Sequence, residues 1–524
     1  MPVHHTRPPC HPIRYATPRT APLRTVCLLT LSTCLAMALT GCASVAPSSA
    51  VPAASHRHSA RLPAASDLKL SPGVPSRSWW LALGDPRLNA LVRQAMQHNP
   101  GQRHALAAVR QARALANLAE REGQPQGGLS AQAQVRRPSA AEVDPYEQGL
   151  GRPPRQHLAT INQMASWELD LFGRVETASA VARRQAEATE ADAHGAEAVL
   201  QAEVVRRYIL LRQHQHEALR LNEALELRDR LLSLQQARER AGLADQQETL
   251  AAQVLWHDAQ AGVASARAAW QAERAALAAL TGRSASETDP GWNALMNPAD
   301  ATQAPLPAVP DEMGLVEPSD LLARRPDVAR ADALLRAALG ETVLAQRAHL
   351  PRLSLNLTLG LNNRWGQLGS GNSQRYALGP ALQWDWLDSG RLQARSAAAQ
   401  AGEEMAWHQF EQTVLQALAD SEIALRNWQA AQARWRAAVQ SQQTAQDSRD
   451  RASQRGAAGL ETPAEVLERQ ARWLQARCDT VARQAEALQA YAQVQLALAA
   501  WQPEAQSTAR AATPGPPAPR SPRT

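Results

Sequence analysis

Apolar and polar residues alternate strictly in two pairs of short segments, one pair in each half of the chain. In the first pair, Leu129 to Val135 carries its apolar residues at odd positions, and the same alternation returns near Leu158 to Asp170. In the second pair, Leu353 to Leu361 has Leu at every other position, and a Gly- and Asn-rich turn leads to another alternating segment. A period of two residues is typical of a β-strand with one apolar and one polar face. The pattern therefore predicts two β-hairpins, at about 128–170 and about 352–386.

Each predicted hairpin is followed by a stretch of roughly 70 residues without proline, in which apolar residues recur every three or four positions. That spacing is typical of a helix, and at 1.5 Å per residue each helix would be about 100 Å long. Each stretch ends at a glycine, Gly242 or Gly459, where we expect the chain to reverse into a shorter return helix. The predicted long helices cover about 173–241 and about 390–457, and the return helices cover about 245–282 and about 462–500.

The two halves of the chain repeat one plan. A triplet of Trp, Gly and Arg, placed where each hairpin meets its long helix, recurs at a spacing of 217 residues. These junction residues are Trp167, Gly173 and Arg174 in the first half, and Trp384, Gly390 and Arg391 in the second. Upstream of the hairpins the spacing is 226, as from Pro100 to Pro326. An internal duplication of this kind has to be recognised before the fold is assigned, because each half repeats the same order of elements.

The duplication divides the body of the chain. The predicted parts are a first repeat at 78–285, a connecting loop at 286–317, a second repeat at 318–501 and a disordered tail at 502–524.

The amino terminus has the features of a bacterial export signal. Residues 1–25 contain four arginines and no acidic residue, and an apolar segment from Val26 to Leu39 leads into Thr40-Gly41-Cys42. Small residues before a Cys at this position resemble a lipobox, which implies that residues 1–41 are removed as a signal peptide and that Cys42 carries a covalent lipid. A plain secretory signal cleaved nearby is the alternative. Residues 42–77 are rich in Ser, Ala and Pro and are expected to form a flexible tether.

The composition argues against nucleic-acid binding and against catalysis. The formal net charge is +6, but four arginines lie in the predicted signal, and no basic helix face carries interleaved aromatic residues. The sequence shows no nucleophile with a base, no Gly-rich phosphate loop and no Cys or His pair with metal-ligand spacing. We therefore expect no enzymatic activity, no metal and no cofactor beyond the lipid. Cys478 is expected to fill a small position in a helix contact.

The strand count predicts an assembly of several chains. Four strands of about ten residues match the lipid-spanning strands of outer-membrane barrels, although soluble half-buried sheets show the same alternation. Four strands cannot close a barrel, and lipid does not tolerate an open sheet edge. The predicted fold class is thus mixed α and transmembrane β, with an internally duplicated protomer whose two hairpins join those of other copies.

Three motifs resemble the outer-membrane efflux family of TolC-like channels, in its lipoprotein branch. They are Ser78-Trp79-Trp80 with Gly84-Asp85-Pro86, the segment from Ser166 to Arg174, and the segment from Leu321 to Val328. The resemblance implies a homotrimer in the Gram-negative outer membrane, with a twelve-stranded barrel that a long coiled helical barrel continues across the periplasm. It also implies two protein partners, a periplasmic adaptor (membrane fusion) protein and an inner-membrane RND-type pump.

The same resemblance points to the two helix reversals as the gate. In this family the periplasmic helix ends close through charged and polar contacts and open when an adaptor binds. The implied gate and adaptor-docking residues are Arg238, Gly242, Asp245 and Glu248 at the first tip, and Arg451, Arg455, Gly459, Glu461 and Glu465 at the second. Glu248 and Glu465 also stand at capping-box positions, so a structural role is the alternative for both, whereas Glu461 has no such role. The chain departs from the family at Gly456, where an aromatic is usual, and at Ala464.

The predicted function is that of an outer-membrane channel subunit in a tripartite efflux system that exports small molecules such as drugs and organic toxicants. Seven Met residues form no cluster typical of copper or silver handling. Metal-ion efflux and type I protein secretion remain alternatives. A lipid-anchored periplasmic coiled-coil adaptor is the alternative from a different class, and it would leave the four amphipathic strands unexplained.

Overall fold

The computed structural model describes residues 70–72, 78–143, 154–284, 286, 292–293, 305–310, 313–315, 322 and 324–498. The predicted signal peptide at 1–41, the Cys42 lipidation site and the tail at 502–524 lie outside these residues, as do most of the predicted tether and of the connecting loop.

Six strands occur within the described residues. They are β1 (Leu70–Pro72), β2 (Gln126–Arg136), β3 (Gln156–Leu169), β4 (Met313–Leu315), β5 (Arg352–Arg364) and β6 (Gln374–Gln383). The four long strands form one antiparallel sheet in the order β2-β3-β5-β6. Because β3 pairs with β5, the two hairpins join into a single sheet inside one chain, and β2 and β6 are its two edges.

The strand register separates an apolar face from a polar face. Trp167 lies opposite Leu355 on one face, and Ser166 lies opposite Asn356 on the other, where the Ser166 hydroxyl donates to Asn356 Oδ1 at 2.7 Å. The apolar face is exposed in the single chain: the largest exposed fractions are those of Leu129 (74%), Val135 (65%), Tyr376 (84%), Leu378 (67%) and Leu382 (65%). An exposed apolar face of this size indicates that lipid or another protein covers the sheet.

Two features of the strands differ from the sequence prediction. β6 ends at Gln383, three residues before the predicted end of the hairpin, because Gln383 pairs with Arg352, the first residue of β5, and no further partner follows in that strand. The predicted tether and connecting loop also contain structure: β1 pairs in parallel with β4, and Leu70 lies opposite Met313. A tertiary pairing between segments this far apart leaves no signal in local composition.

Eight helices are described. They are α1 (Pro86–His98), α2 (Pro100–Arg121), α3 (Ala140–Val143), α4 (Arg174–Arg240), α5 (Gln246–Leu280), α6 (Pro326–Arg347), α7 (Ser389–Ala457) and α8 (Pro463–Ala497). The two long helices, α4 and α7, have 67 and 69 residues and begin directly after β3 and β6. Among the described residues, no helix combines the length and the hydropathy that crossing a membrane requires.

The core lies where α4, α7 and α8 pack together. Leu211, Leu425 and Leu488 are fully buried there. Tyr491 of α8 stacks edge-on against Trp79, with ring centroids 6.0 Å apart, and lies 6.4 Å from Trp428 of α7. The short 3-10 turn that carries Trp79 is therefore anchored to the long helices by aromatic packing.

Asp85 and Pro86 define the start of α1. The carboxylate of Asp85 accepts hydrogen bonds from the backbone N–H groups of Arg87 (2.8 Å) and Leu88 (3.3 Å), and Pro86 occupies the first helical position. The second carboxylate oxygen accepts from the Tyr208 hydroxyl at 2.5 Å, which ties the helix start to α4. One acidic residue thus caps α1 and joins it to the core.

Candidate functional site: helix tips and barrel junctions

The backbone turns in the same way at both helix tips. Gly242 and Gly459 adopt φ angles of +71° and +72°, a left-handed conformation that glycine reaches without strain. The next residue closes the end of the long helix, since the N–H of Leu243 donates to Arg238 O at 2.8 Å and the N–H of Leu460 donates to Arg455 O at 2.9 Å. This Schellman-type ending leaves both leucine side chains exposed, at 71% and 68%.

The second tip contains the predicted capping box. The Thr462 hydroxyl accepts from the N–H of Glu465 at 3.3 Å, and the Glu465 carboxylate accepts from the N–H of Thr462 at 2.8 Å. Hydrogen bonds from the Thr462 backbone and hydroxyl hold the pKa of Glu465 below its usual range. These bonds give Glu465 the structural role that the sequence analysis offered as its alternative.

Glu461 also has a partner within the chain, contrary to the sequence analysis, which gave it no structural role. Its Oε1 accepts from Arg455 Nε at 2.9 Å. The Glu461 side chain is only 21% exposed, whereas that of Arg455 is 58% exposed. The second carboxylate oxygen, Oε2, is buried and has no hydrogen bond from any described residue. Only one of the two carboxylate oxygens of Glu461 is therefore hydrogen-bonded, and a movement of the tip would change the surroundings of the other.

The predicted capping box at the first tip is wrong. Asp245 precedes α5 but makes no side-chain capping bond. Glu248 instead lies 3.6 Å from the guanidinium of Arg238, which also donates to the carbonyl of Leu243 at 3.4 Å. The two tips thus have the same backbone conformation but different side-chain contacts. Arg238 lies near Glu248 at the first tip, whereas Arg455 binds Glu461 at the second.

Two further residues of the second tip have distinct surroundings. At Gly456, an added Cβ would come within 2.7 Å of Val466 Cγ2, so the glycine allows α7 and α8 to approach closely. Arg451 is exposed and makes no ion pair with any described residue. Its guanidinium lies on the exposed surface of α7 near the tip.

At the barrel junctions, the two tryptophans make equivalent hydrogen bonds. The indole N–H of Trp167 donates to Gly123 O at 3.0 Å, and that of Trp384 donates to His349 O at 2.9 Å. Gly123 and His349 follow α2 and α6 and are separated by the same 226 residues that relate the two repeats. Each tryptophan therefore ties the end of its hairpin to the short helix that precedes the hairpin.

The junction arginines bind neighbouring acids. Arg174 donates to both oxygens of Glu168, from Nε at 2.9 Å and from Nη2 at 2.7 Å, and Arg391 binds Asp388. Gly390 lies inside the first turn of α7, whereas Gly173 precedes α4 with φ +67°. Each arginine thus binds an acid of its own junction, but the two acids do not correspond across the repeats, since the residue 217 positions after Glu168 is Asp385.

Sequence reasoning missed Arg347, the last residue of α6. Its Nη1 donates to Gly173 O at 2.8 Å and to the Thr177 hydroxyl at 2.7 Å, so it joins the second repeat to the start of α4. The corresponding residue of the first repeat, at the spacing of 226, is Arg121 in the last turn of α2. The recurrence of arginine at this spacing is the sequence signal that could have identified Arg347.

The comparisons with known proteins agree with this arrangement. The model of the family described as outer membrane efflux protein matches residues 91–283 and 318–500, which is more than half of the chain. The fusaric acid resistance protein FusA of Burkholderia cepacia is 30% identical over 339 residues, which cover 63% of this chain and 61% of that protein. The pyoverdine export outer membrane protein OpmQ of Pseudomonas putida is 29% identical over 425 residues, which cover 80% of this chain and 86% of that protein.

Among solved structures, the outer-membrane channel OprN superposes with a TM-score of 0.74 at 26% identity, over 84% of this chain and 96% of that one. This likeness confirms the predicted mixed helix-and-strand fold. It also rules out the alternative of an adaptor built from a coiled coil alone, which has no four-stranded sheet. The duplicated plan, the sheet and the family match together establish that this chain belongs to the outer membrane efflux protein family and is a subunit of an outer-membrane efflux channel.

Proposed function

We propose that three copies of this chain close one barrel and one helical tunnel, through which small organic molecules leave the cell. A periplasmic adaptor docks at the helix tips and an RND-type pump in the inner membrane supplies the cargo. A lipid on Cys42 anchors each copy to the outer membrane.

The observation that carries the assembly is the open sheet. β2 and β6 each present one edge that no described strand of the chain pairs. Their apolar side chains are exposed at the same time, as for Leu129 and Leu378. Unpaired backbone groups cost several kcal/mol each in hydrocarbon, so a sheet of this kind enters lipid only after other copies pair its edges.

The contact between β3 and β5 supplies a template for the contact between copies. When the repeat spacings of 217 and 226 are applied to this pairing, β6 of one copy meets β2 of the next. The mapped register places Leu382 opposite Ala131 and Leu378 opposite Val135, so that apolar residues meet apolar residues. It places Gln383 opposite Ser130 on the polar face.

The helices also leave an apolar surface that is uncovered in the single chain. α6 is covered on both sides: its Arg330 binds Asp192 of α4 at 2.9 Å, and its Thr342 hydroxyl donates to Ala399 O of α7 at 3.2 Å. The equivalent helix α2 reaches α4 through Arg113 and Glu190 but leaves three leucines exposed. These are Leu106 (46%), Leu115 (56%) and Leu118 (57%). By the repeat, α7 of the neighbouring copy covers them.

An engineered disulfide tests this assembly. The pair Ala131→Cys and Leu382→Cys, in a Cys478→Ala background, should link neighbouring copies and give covalent dimers and trimers on non-reducing gels. Within one copy the two sites lie on strands that are three strand spacings apart, so at least about 14 Å separates them, which is too far for a disulfide. The matched control pairs Ala133→Cys with Leu382→Cys and shifts the register by two residues. Linking by the control but not by the first pair would overturn the register, and no linking by either would overturn the ring.

The cargo is proposed from the names of relatives. FusA is named for fusaric acid resistance, OpmQ for pyoverdine export and MdtP of Shigella flexneri, 26% identical over 370 residues, for multidrug resistance. All three names concern organic molecules, which favours organic cargo over metal ions. Growth assays of a deletion strain against organic toxicants and against metal salts separate the two, since only the first sensitivity should return to normal with the cloned channel.

A further inference from the structure

The polar face of the four-stranded sheet carries an excess of positive charge. Within the four described strands, the one carboxylate on this face is Glu168, which is bound by Arg174 through both oxygens. Arg136 lies 3.8 Å from Glu142, but both side chains are more than half exposed, so their attraction is weak. The arginines on this face are Arg136, Arg352, Arg364 and Arg375. Three of the four lie toward the hairpin loops, away from the long helices.

Arg375 differs from the others because the sheet holds it in place. It lies in one row with Gly360 of β5 and Asn162 of β3, and its Nε donates to Asn162 Oδ1 at 3.1 Å. The Arg375 side chain crosses β5 at Gly360, which has no side chain to block it. An added Cβ at Gly360 would lie 2.4 Å from Asn162 Oδ1 and 2.6 Å from Ile161 O, so only glycine leaves Asn162 in position.

The bond to Asn162 uses only one side of the guanidinium. Nη1 and Nη2 of Arg375 make no hydrogen bond to any described residue, and the side chain is exposed. A guanidinium with two free, parallel donors matches the two oxygens of a carboxylate. Because Nε is already fixed, less rotational freedom is lost when such an anion binds.

We propose that Arg375 is a specificity-determining residue of the channel, a carboxylate-binding point on the wall of the exit that favours organic anions. The inference rests on the trimeric channel proposed above, which turns the apolar face to lipid and the polar face to the lumen. Three copies of Arg375 then lie at one level of the lumen, and rings of arginine are a recurrent means of selecting anions in pores.

The test uses the full-length protein in planar bilayers of uncharged phosphatidylcholine. The reversal potential in a KCl gradient at low ionic strength measures the preference for chloride over potassium, and added citrate measures block by a carboxylate. Wild type should prefer chloride and be blocked by citrate. In Arg375→Gln, the chloride preference should fall about twofold, because lumen potentials are comparable to thermal energy when screening is weak. Block by citrate should weaken about tenfold, as expected for the loss of a charge-assisted bidentate contact.

Two further variants distinguish bidentate binding by the Arg375 guanidinium from the effect of its positive charge alone. Arg375→Lys should keep the chloride preference and lose most of the citrate block. Arg352→Gln removes the same charge from the same face near the helices, and it should leave the citrate block unchanged. An Arg375→Lys channel with wild-type block, or an Arg375→Gln channel with wild-type potential and block, would overturn this inference alone. A wild-type protein that does not conduct would overturn both this inference and the channel.

Discussion

At the scale of single residues, the best-defined feature is the pair of tryptophan hydrogen bonds at the barrel junctions. Trp167 and Trp384 bind carbonyls that correspond across the two repeats, at 3.0 and 2.9 Å. Tryptophan at the boundary of an apolar band combines an apolar ring with one polar donor, which suits a position between lipid and water. The two bonds therefore fix the level at which sheet changes to helix.

Replacing both junction tryptophans by phenylalanine should weaken the assembly. Each lost indole bond costs about 1 kcal/mol per copy, while most of the apolar ring area is kept. We expect the oligomer to dissociate at a lower temperature in gels with dodecyl sulfate. The control is Trp365→Phe, since Trp365 is 68% exposed and its indole makes no hydrogen bond to a described residue. Equal effects of the double variant and the control would contradict the structural role of the bonds.

Cys478 should be nearly inert at neutral pH. Burial raises the pKa of its thiol to about 11, and the carboxylates of Glu217 and Asp479 add to the effect. At pH 8 the reactive thiolate is then about 100-fold scarcer than in a free peptide, and its fraction rises about tenfold per pH unit up to the folded pKa. Alkylation by N-ethylmaleimide, followed by mass spectrometry, measures this rate. The control Ser453→Cys, on the exposed surface of α7, should react fast, and an equally fast Cys478 would refute the prediction.

At the scale of elements, the two helix tips are the places where the resemblance in the sequence puts the gate. Both tips end their long helix with the same backbone turn, but Arg455 binds Glu461 at one tip, and Arg238 approaches Glu248 at the other. We propose that the contact between Arg455 and Glu461 helps to hold the second tip closed. The partly unsatisfied carboxylate of Glu461 makes this contact the easier one to exchange for another.

Glu461→Ala should therefore raise the mean single-channel conductance in planar bilayers, because Arg455 loses the acid that holds it. The matched control in the same turn is Thr462→Ala, which removes the capping bond to Glu465, costs about 1 kcal/mol in the first turn of α8 and changes no charge. The control should conduct as wild type does. If both variants conduct alike, the effect is a general loosening of the tip, and Glu461 has no role in the gate.

The sequence predicted the elements far better than their contacts. The alternation of Leu353 to Leu361 and the glycines at the tips specify strands and reversals locally, and the structure has them within a few residues. The first-tip capping box failed because the spacing of Asp245 and Glu248 cannot show that Arg238 takes up the glutamate. Arg347 was missed because its partners lie 170 and more residues away in the chain. Local patterns report backbone conformation, whereas tertiary partners depend on the assembled fold.

At the scale of the whole molecule, the chain is one third of a proposed ring. The pairing of β3 with β5 joins the two repeats within a copy, and its repeat-related counterpart, β6 with β2, joins neighbouring copies. Equivalent strands thus pair within one copy and, in the proposed ring, between neighbouring copies. This explains why the duplicated chain leaves the outer faces of α2 and of the sheet edges uncovered.

The measurement that tests this account most directly is the mass of the Cys42→Ser protein, determined by native mass spectrometry after extraction with detergent. In the proposed assembly the strands rather than the lipid hold the channel in the membrane, so we predict that the Cys42→Ser protein still requires detergent, has the mass of three copies and conducts in planar bilayers. A folded monomer that remains soluble in buffer without detergent would contradict the account.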